Sequence, residues 1–247
     1  NNIESLEKIF KERELACVIM EPMNVEYPKD NFLEKVKELV HKNKALLIFD
    51  ETITGFRYSL GGAQQFFGVT PDLATFGKGM ANGYPLSALV GSSKIMKKVE
   101  DIFFSGTFGG EALSLAAASA SIDKYKKEQV IEYLFDVGTY LLKQLNELIN
   151  SNDLTDIFWA SGHPSWSFLH IKDQQKYNSF EIKTFFLQEM FKRGILTLGL
   201  HNLSFSHTSK DIDELIAAYA EVLPMIKQHI DNQTLLENIQ GEILKPL

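Results

Sequence analysis

The sequence predicts an α/β fold in which a mostly parallel sheet with one antiparallel strand is followed by a smaller α+β domain. Three apolar runs have the length of buried strands and lie at residues 15–20, 45–49 and 72–76. Residues 31–43 carry apolar side chains at helical spacing, and an alternation of strand and helix is typical of parallel pairing. The link from Phe76 to Leu86 is too short for a crossover helix, so a fourth strand at 86–92 should run antiparallel to the third.

The second half of the chain has a different pattern. Helices are predicted at residues 110–128, 130–148 and 181–193, and strands at residues 165–171, 195–198 and 203–207. Thr208 and Asp211 form a capping box that should start a last helix, and Pro224 should kink that helix. We therefore predict two domains, at residues 1–127 and 128–247.

Composition and charge exclude several classes of partner. The chain has 247 residues with 25 basic and 32 acidic side chains, a net charge of −7, which argues against a nucleic-acid or anionic-membrane surface. No apolar stretch reaches the length of about 20 residues that spans a bilayer. The single cysteine, Cys17, lies in the first apolar run and is expected to be a small buried hydrophobe. We therefore expect a cytoplasmic protein with neither nucleic acid nor membrane as a partner.

Candidate site residues follow two of the predicted strands. Asp50 comes directly after the second apolar run, and Lys78 comes two residues after the third. Eleven of the sixteen glycines lie between Gly55 and Gly110, in the segment where backbone is expected to turn tightly or approach a ligand. The carboxyl ends of parallel strands line the ligand crevice of such sheets, so a carboxylate and an amine could face one crevice. From position alone, a simple loop ion pair remains the alternative. The histidines have no metal-ligand spacing, and no metal site is predicted.

Three segments carry a family resemblance. They read IFDETITGFR at 48–57, GGAQQFFGVTPDLATFGKGMANGYP at 61–85 and SGTFGGEALSLAAA at 105–118. In this order and spacing they resemble the class III pyridoxal 5′-phosphate (PLP) aminotransferases, and they are most similar to the glutamate-1-semialdehyde aminomutase branch. The resemblance implies the PLP-dependent transferase fold type I, here with an incomplete large domain and a smaller α+β C-terminal domain.

The resemblance also implies roles for three residues. Lys78 matches the lysine that forms the Schiff base with PLP, and Asp50 matches the carboxylate that holds the pyridine nitrogen. Thr107 matches a residue that binds the cofactor phosphate of the neighbouring subunit, which implies a homodimer with a site shared across its interface. The implied reaction is amino-group transfer between a small-molecule donor and acceptor.

The chain departs from the family pattern in ways that leave alternatives open. Family members are considerably longer, and we expect the N-terminal half of the enzyme, with its phosphate-binding loop, to precede Asn1. Ile53 stands where many members have a glutamine, and no arginine matches the C-terminal carboxylate clamp of ornithine-type members. The alternatives are an intramolecular aminomutase, which needs no external amino acceptor, and a non-catalytic fragment, which would bind PLP poorly.

Overall fold

A computed structural model describes residues 1–245 of the chain. It contains two compact units, Asn1–Glu132 and Tyr133–Leu247. Within the described residues, no helix is both long enough and apolar enough to cross a bilayer. Each unit has its own sheet and its own apolar core.

The first unit is built on a four-stranded sheet. Its strands are β1 (Cys17–Met20), β2 (Leu46–Asp50), β3 (Leu73–Phe76) and β4 (Ala88–Gly91), and they lie side by side in that order. The first three strands are parallel, whereas β4 pairs antiparallel with β3. The predicted mostly parallel sheet with one antiparallel strand is confirmed.

Helices flank this sheet. They are α1 (Ile3–Glu12), α2 (Phe32–Lys42), α3 (Ala63–Phe67), α4 (Ser93–Met96) and α5 (Ala112–Lys127). On α2 the apolar side chains at helical spacing, Leu33, Val36 and Val40, are buried in one core with Leu47 and Phe49 of β2. The predicted helix is confirmed there, while α1, α3 and α4 were not predicted. Two 3-10 turns, at Lys78–Met80 and Lys97–Asp101, complete the unit.

The prediction that Cys17 is buried is wrong. Its side chain is exposed, and Ile19 on the same face of β1 is 60% exposed. Burial alternates along the strand, so in the described residues one set of its apolar side chains meets solvent while Val18 and Met20 pack on the core. Local hydrophobicity predicted the strand correctly but could not indicate which of its faces is covered.

The second unit has a three-stranded antiparallel sheet. Its elements in chain order are α6 (Val130–Ser151, which begins just before the unit boundary), β5 (Phe158–His163), β6 (Trp166–Ile171), α7 (Ser179–Lys192), β7 (Leu200–Asn202) and α8 (Ser209–Asp231). The core includes Leu145, Phe158, Phe186 and Tyr219. Gly138 allows α6 to approach the loop between β5 and β6, because a Cβ there would lie 1.9 Å from the Pro164 carbonyl oxygen.

The predicted strand pair at 195–198 and 203–207 is wrong. In this segment a strand forms only at Leu200–Asn202, where we predicted the turn between the two strands. This strand, β7, pairs with β6. Leu196 and Leu198 are 88% and 61% exposed, so their alternation with polar residues does not reflect a buried face. The capping box of Thr208 and Asp211 is confirmed, with both of its hydrogen bonds present at the start of α8.

A buried histidine makes the stability of the second unit dependent on pH. His201 lies within 2.9 Å of Ser167 Oγ and 2.8 Å of Tyr219 Oη, and burial lowers its pKa to about 4. In the unfolded chain the His201 imidazole becomes protonated below about pH 6.5, whereas in the folded chain it stays neutral down to about pH 4. Stability should therefore fall as pH falls through this window, by about 3 kcal/mol for a shift from 6.5 to about 4.

The variant His201→Gln should remove this dependence. Denaturant unfolding followed by circular dichroism between pH 7 and pH 4 measures it. The free energy of unfolding should fall more steeply for the original protein than for the variant, and parallel curves would contradict the assignment.

Candidate active site

Asp50 and Lys78 lie at the same edge of the first sheet. Asp50 is the last residue of β2 and stands opposite Thr75 in the parallel ladder with β3. Lys78 follows Thr75 by three residues and begins the 3-10 turn after β3. Both side chains therefore belong to the carboxyl end of adjacent parallel strands, where ligands bind in open α/β sheets.

The Asp50 carboxylate is held in its ionised form. Its Oδ1 accepts hydrogen bonds from the Thr52 backbone N–H at 2.9 Å and from the Thr75 hydroxyl at 3.3 Å. The pKa of Asp50 is lowered mainly by hydrogen bonding from the Thr52 side chain, with smaller contributions from the Thr52 N–H, Thr75 and the positive charge of Lys78; partial burial opposes them.

Lys78 is exposed and occupies an unusual backbone conformation. Its φ is +37°, in the left-handed region that side chains other than glycine rarely adopt. The turn is closed by two backbone hydrogen bonds, from Met80 N to Gly77 O and from Asn82 N to Lys78 O, each 2.9 Å long. Among residues 1–245, no ion pair engages the Lys78 amine. An accessible amine on a constrained turn suits a covalent ligand.

Glu51, next to Asp50, has a structural role. Its buried carboxylate accepts hydrogen bonds from the backbone N–H groups of Ala63 and Gln64, both at 2.7 Å, and from the Thr54 hydroxyl. These bonds satisfy the first N–H groups of α3 and anchor the loop that follows β2. The two adjacent carboxylates therefore have different roles. Glu51 anchors the loop after β2, and Asp50 lies at the sheet edge next to Lys78.

Thr107 lies in an exposed turn that precedes α5. No hydrogen bond in the described part of the chain links it to Asp50 or Lys78. The next acidic residue, Glu111, caps α5 by accepting from the backbone N–H groups of Leu113 and Ser114. The structure thus brings two of the three predicted site residues to one sheet edge and leaves Thr107 on the surface.

Three further residues of this region were not found from the sequence. Thr52 and Thr75 bond to Asp50, and Tyr125 on α5 bonds to the turn that carries Lys78. Thr52 had a weak indication in the sequence, because the backbone N–H two residues after an aspartate often bonds to the aspartate side chain. Thr75 and Tyr125 had none, since their contacts depend on the strand register and on helix packing.

Comparisons with known proteins agree with this architecture. Residues 1–222 match the family profile described as Aminotransferase class-III. The chain is 34% identical to a glutamate-1-semialdehyde 2,1-aminomutase of Alkaliphilus oremlandii over 242 residues, and 30% identical to a 3-aminobutyryl-CoA aminotransferase of Cloacimonas acidaminovorans over 239 residues. These alignments cover 90% and 92% of this chain but 56% and 57% of the relatives.

Solved structures show the same fold. The PLP internal aldimine form of the FumI protein of Sphingopyxis sp. MTA144 is similar with a TM-score of 0.84 and 26% identity, covering 97% of this chain and 57% of that one. An omega-transaminase of Sphaerobacter thermophilus is similar in fold, with a TM-score of 0.82 at 22% identity and coverages of 92% and 56%. The chain thus spans a little over half the length of these proteins. Class III aminotransferases depend on PLP, and this chain belongs to their family.

Proposed function

We propose that this chain carries the lysine and the carboxylate of a PLP site for amino-group transfer between a small-molecule donor and acceptor, in the cytoplasm. The observation that supports this most is the placement of Asp50 and Lys78. Asp50 ends β2 opposite Thr75 of β3, and Lys78 lies three residues after Thr75. The positive charge of Lys78 is one of the causes that lower the pKa of Asp50.

The residues present fit the requirements of PLP. The cofactor needs a reachable primary amine for its aldehyde, and Lys78 is exposed and outside the ion pairs of residues 1–245. It also needs an anion for its ring nitrogen, and hydrogen bonds keep Asp50 ionised. When bound, PLP supplies an electron-withdrawing ring that stabilises negative charge on the substrate carbon.

Asp50, Lys78 and Thr107 would each have a different role at the bound cofactor. Asp50 would keep a proton on the nitrogen that faces it, because an ionised carboxylate favours the protonated form of a nearby base. Lys78 would hold the cofactor through Nζ and, once displaced by the incoming amine, would take and return the proton that moves between carbon atoms. Thr107, exposed before α5, would contact the cofactor phosphate of a second subunit in a homodimer.

An intramolecular aminomutase is the second candidate. It is supported by the names of several relatives, among them the Alkaliphilus oremlandii protein at 34% identity. The two reactions differ in their requirements, since a transferase needs a separate amino acceptor and a mutase turns over one substrate alone. Turnover with a single amino compound and no added keto acid or aldehyde would favour the mutase.

Covalent trapping tests whether Lys78 is the cofactor lysine. The chain is incubated with a small excess of PLP, reduced with borohydride, digested and mapped by mass spectrometry. We expect the pyridoxyl group on Lys78. Lys44 is a matched internal control, because it is also exposed with a positive φ of 58° but precedes β2 at the opposite end of that strand. Equal labelling of both lysines, or none on Lys78, would contradict the proposal and favour a non-catalytic fragment.

A further inference from the structure

Tyr125 connects α5 to the turn that carries Lys78. Its phenolic hydroxyl donates a hydrogen bond of 2.6 Å to the backbone carbonyl of Gly79, the residue after Lys78. The two residues are 46 positions apart in the chain. Burial raises the pKa of the Tyr125 phenol, so it remains a donor throughout the neutral range.

The ring of Tyr125 is also linked to the start of this turn through aromatic contacts. It stacks on Phe56, with ring centroids 5.9 Å apart and planes at 21°. Phe56 in turn packs on Phe76, whose centroid lies 5.7 Å away. Since Phe76 ends β3 two residues before Lys78, the aromatic stack fixes the start of the turn while the hydrogen bond fixes its middle.

The turn needs such support because its backbone is strained. Lys78 has a φ of +37° and Asn82 a φ of +50°, and Phe56 beside them has a φ of +58°. Left-handed conformations of residues other than glycine cost free energy and persist only where the surroundings fix them. The two hydrogen bonds that close the turn are local, whereas the bond from Tyr125 ties it to a long helix.

We infer that Tyr125 is a positioning residue for Lys78, which acts by fixing the Gly79 carbonyl and thereby the direction in which the lysine leaves the sheet edge. This inference rests on the proposed role of Lys78. Tyr125 is not proposed to touch the cofactor or the substrate. Its contribution is to hold the reactive amine in one orientation, since catalytic groups work best when their geometry is fixed before the ligand arrives.

The variant Tyr125→Phe tests the inference, because it keeps the stacked ring and removes the hydroxyl. Amide hydrogen exchange by NMR should show faster exchange for Met80 and Asn82, the donors inside the turn, by roughly threefold to tenfold, as expected for the loss of one hydrogen bond. The amide of Asp72, which bonds to Leu47 O directly before β3 begins, should exchange at its original rate. Borohydride trapping of PLP on Lys78 should become slower by a similar factor.

Tyr133→Phe is the matched control. It removes a phenol that also donates to a backbone carbonyl, that of His207 at 2.7 Å, but in the second unit. It should change neither readout. Unchanged exchange of Met80 and Asn82 in Tyr125→Phe, a uniform rise that includes Asp72, or unaltered trapping would overturn the positioning role. Failure of the original chain to label Lys78 would instead overturn the proposed function, so the two failures can be told apart.

Discussion

Replacing Lys78 with alanine is expected to abolish covalent retention of PLP and all amino-group transfer. Alanine has no amine to condense with the cofactor aldehyde. The covalent bond to PLP is therefore lost, and non-covalent contacts do not replace it. The side chain is exposed and outside the apolar core, so the fold should persist. Retention is measured as PLP absorbance that stays with the protein after gel filtration, and activity as formation of the amino product.

The control for this experiment is Lys44→Ala. Lys44 shares the exposure and the left-handed backbone of Lys78 but lies in the turn between α2 and β2. It should retain both absorbance and activity. If Lys78→Ala retained them as well, the cofactor lysine would have to be another residue.

Replacing Asp50 with asparagine is expected to lower the rate of amino-group transfer by roughly 100-fold to 1000-fold, the usual cost of removing one fixed electrostatic contact from an active site. The amide oxygen can still accept from the Thr52 N–H and the Thr75 hydroxyl, so the loop should keep its shape. The negative charge is lost, and with it the preference for a protonated ring nitrogen. PLP should still be trapped on Lys78.

The protonation state of that nitrogen can be measured with 15N-labelled PLP. The NMR shift should indicate a protonated nitrogen in the original protein and an unprotonated one in Asp50→Asn. Asp72→Asn serves as the control, because Asp72 accepts from the Leu47 backbone N–H before β3 begins and lies away from Asp50 at the other end of the strands. An identical 15N shift of the ring nitrogen in all three proteins would show that Asp50 does not bind that nitrogen.

The sequence predicted the first sheet and the strand ends next to which Asp50 and Lys78 lie, for a physical reason. Buried parallel strands are short continuous apolar runs, and the residue that ends each run marks the functional edge. Asp50 and Lys78 could be placed there without knowing the strand order. The antiparallel direction of β4 followed from the length of its link to β3, because the nine residues between Phe76 and Leu86 cannot both form a helix and return to the other end of a strand.

What could not be predicted depends on contacts between distant segments. Thr75 meets Asp50 only because of the β2–β3 register, and Tyr125 meets Gly79 only because α5 packs beside the turn. Exposure of Cys17 likewise depends on which face of β1 is covered by the rest of the unit. In the second unit, alternation at 195–198 resembled a strand although its leucines face solvent, and β7 instead begins at Leu200, two residues after that segment.

The most direct test of the account is a crystal structure of the protein after PLP has been reduced onto it with borohydride. We expect one pyridoxyl group on Lys78 Nζ, with its ring nitrogen within hydrogen-bonding distance of an Asp50 carboxylate oxygen. A ring attached to Lys78 whose nitrogen faces solvent, with Asp50 directed elsewhere, would contradict it.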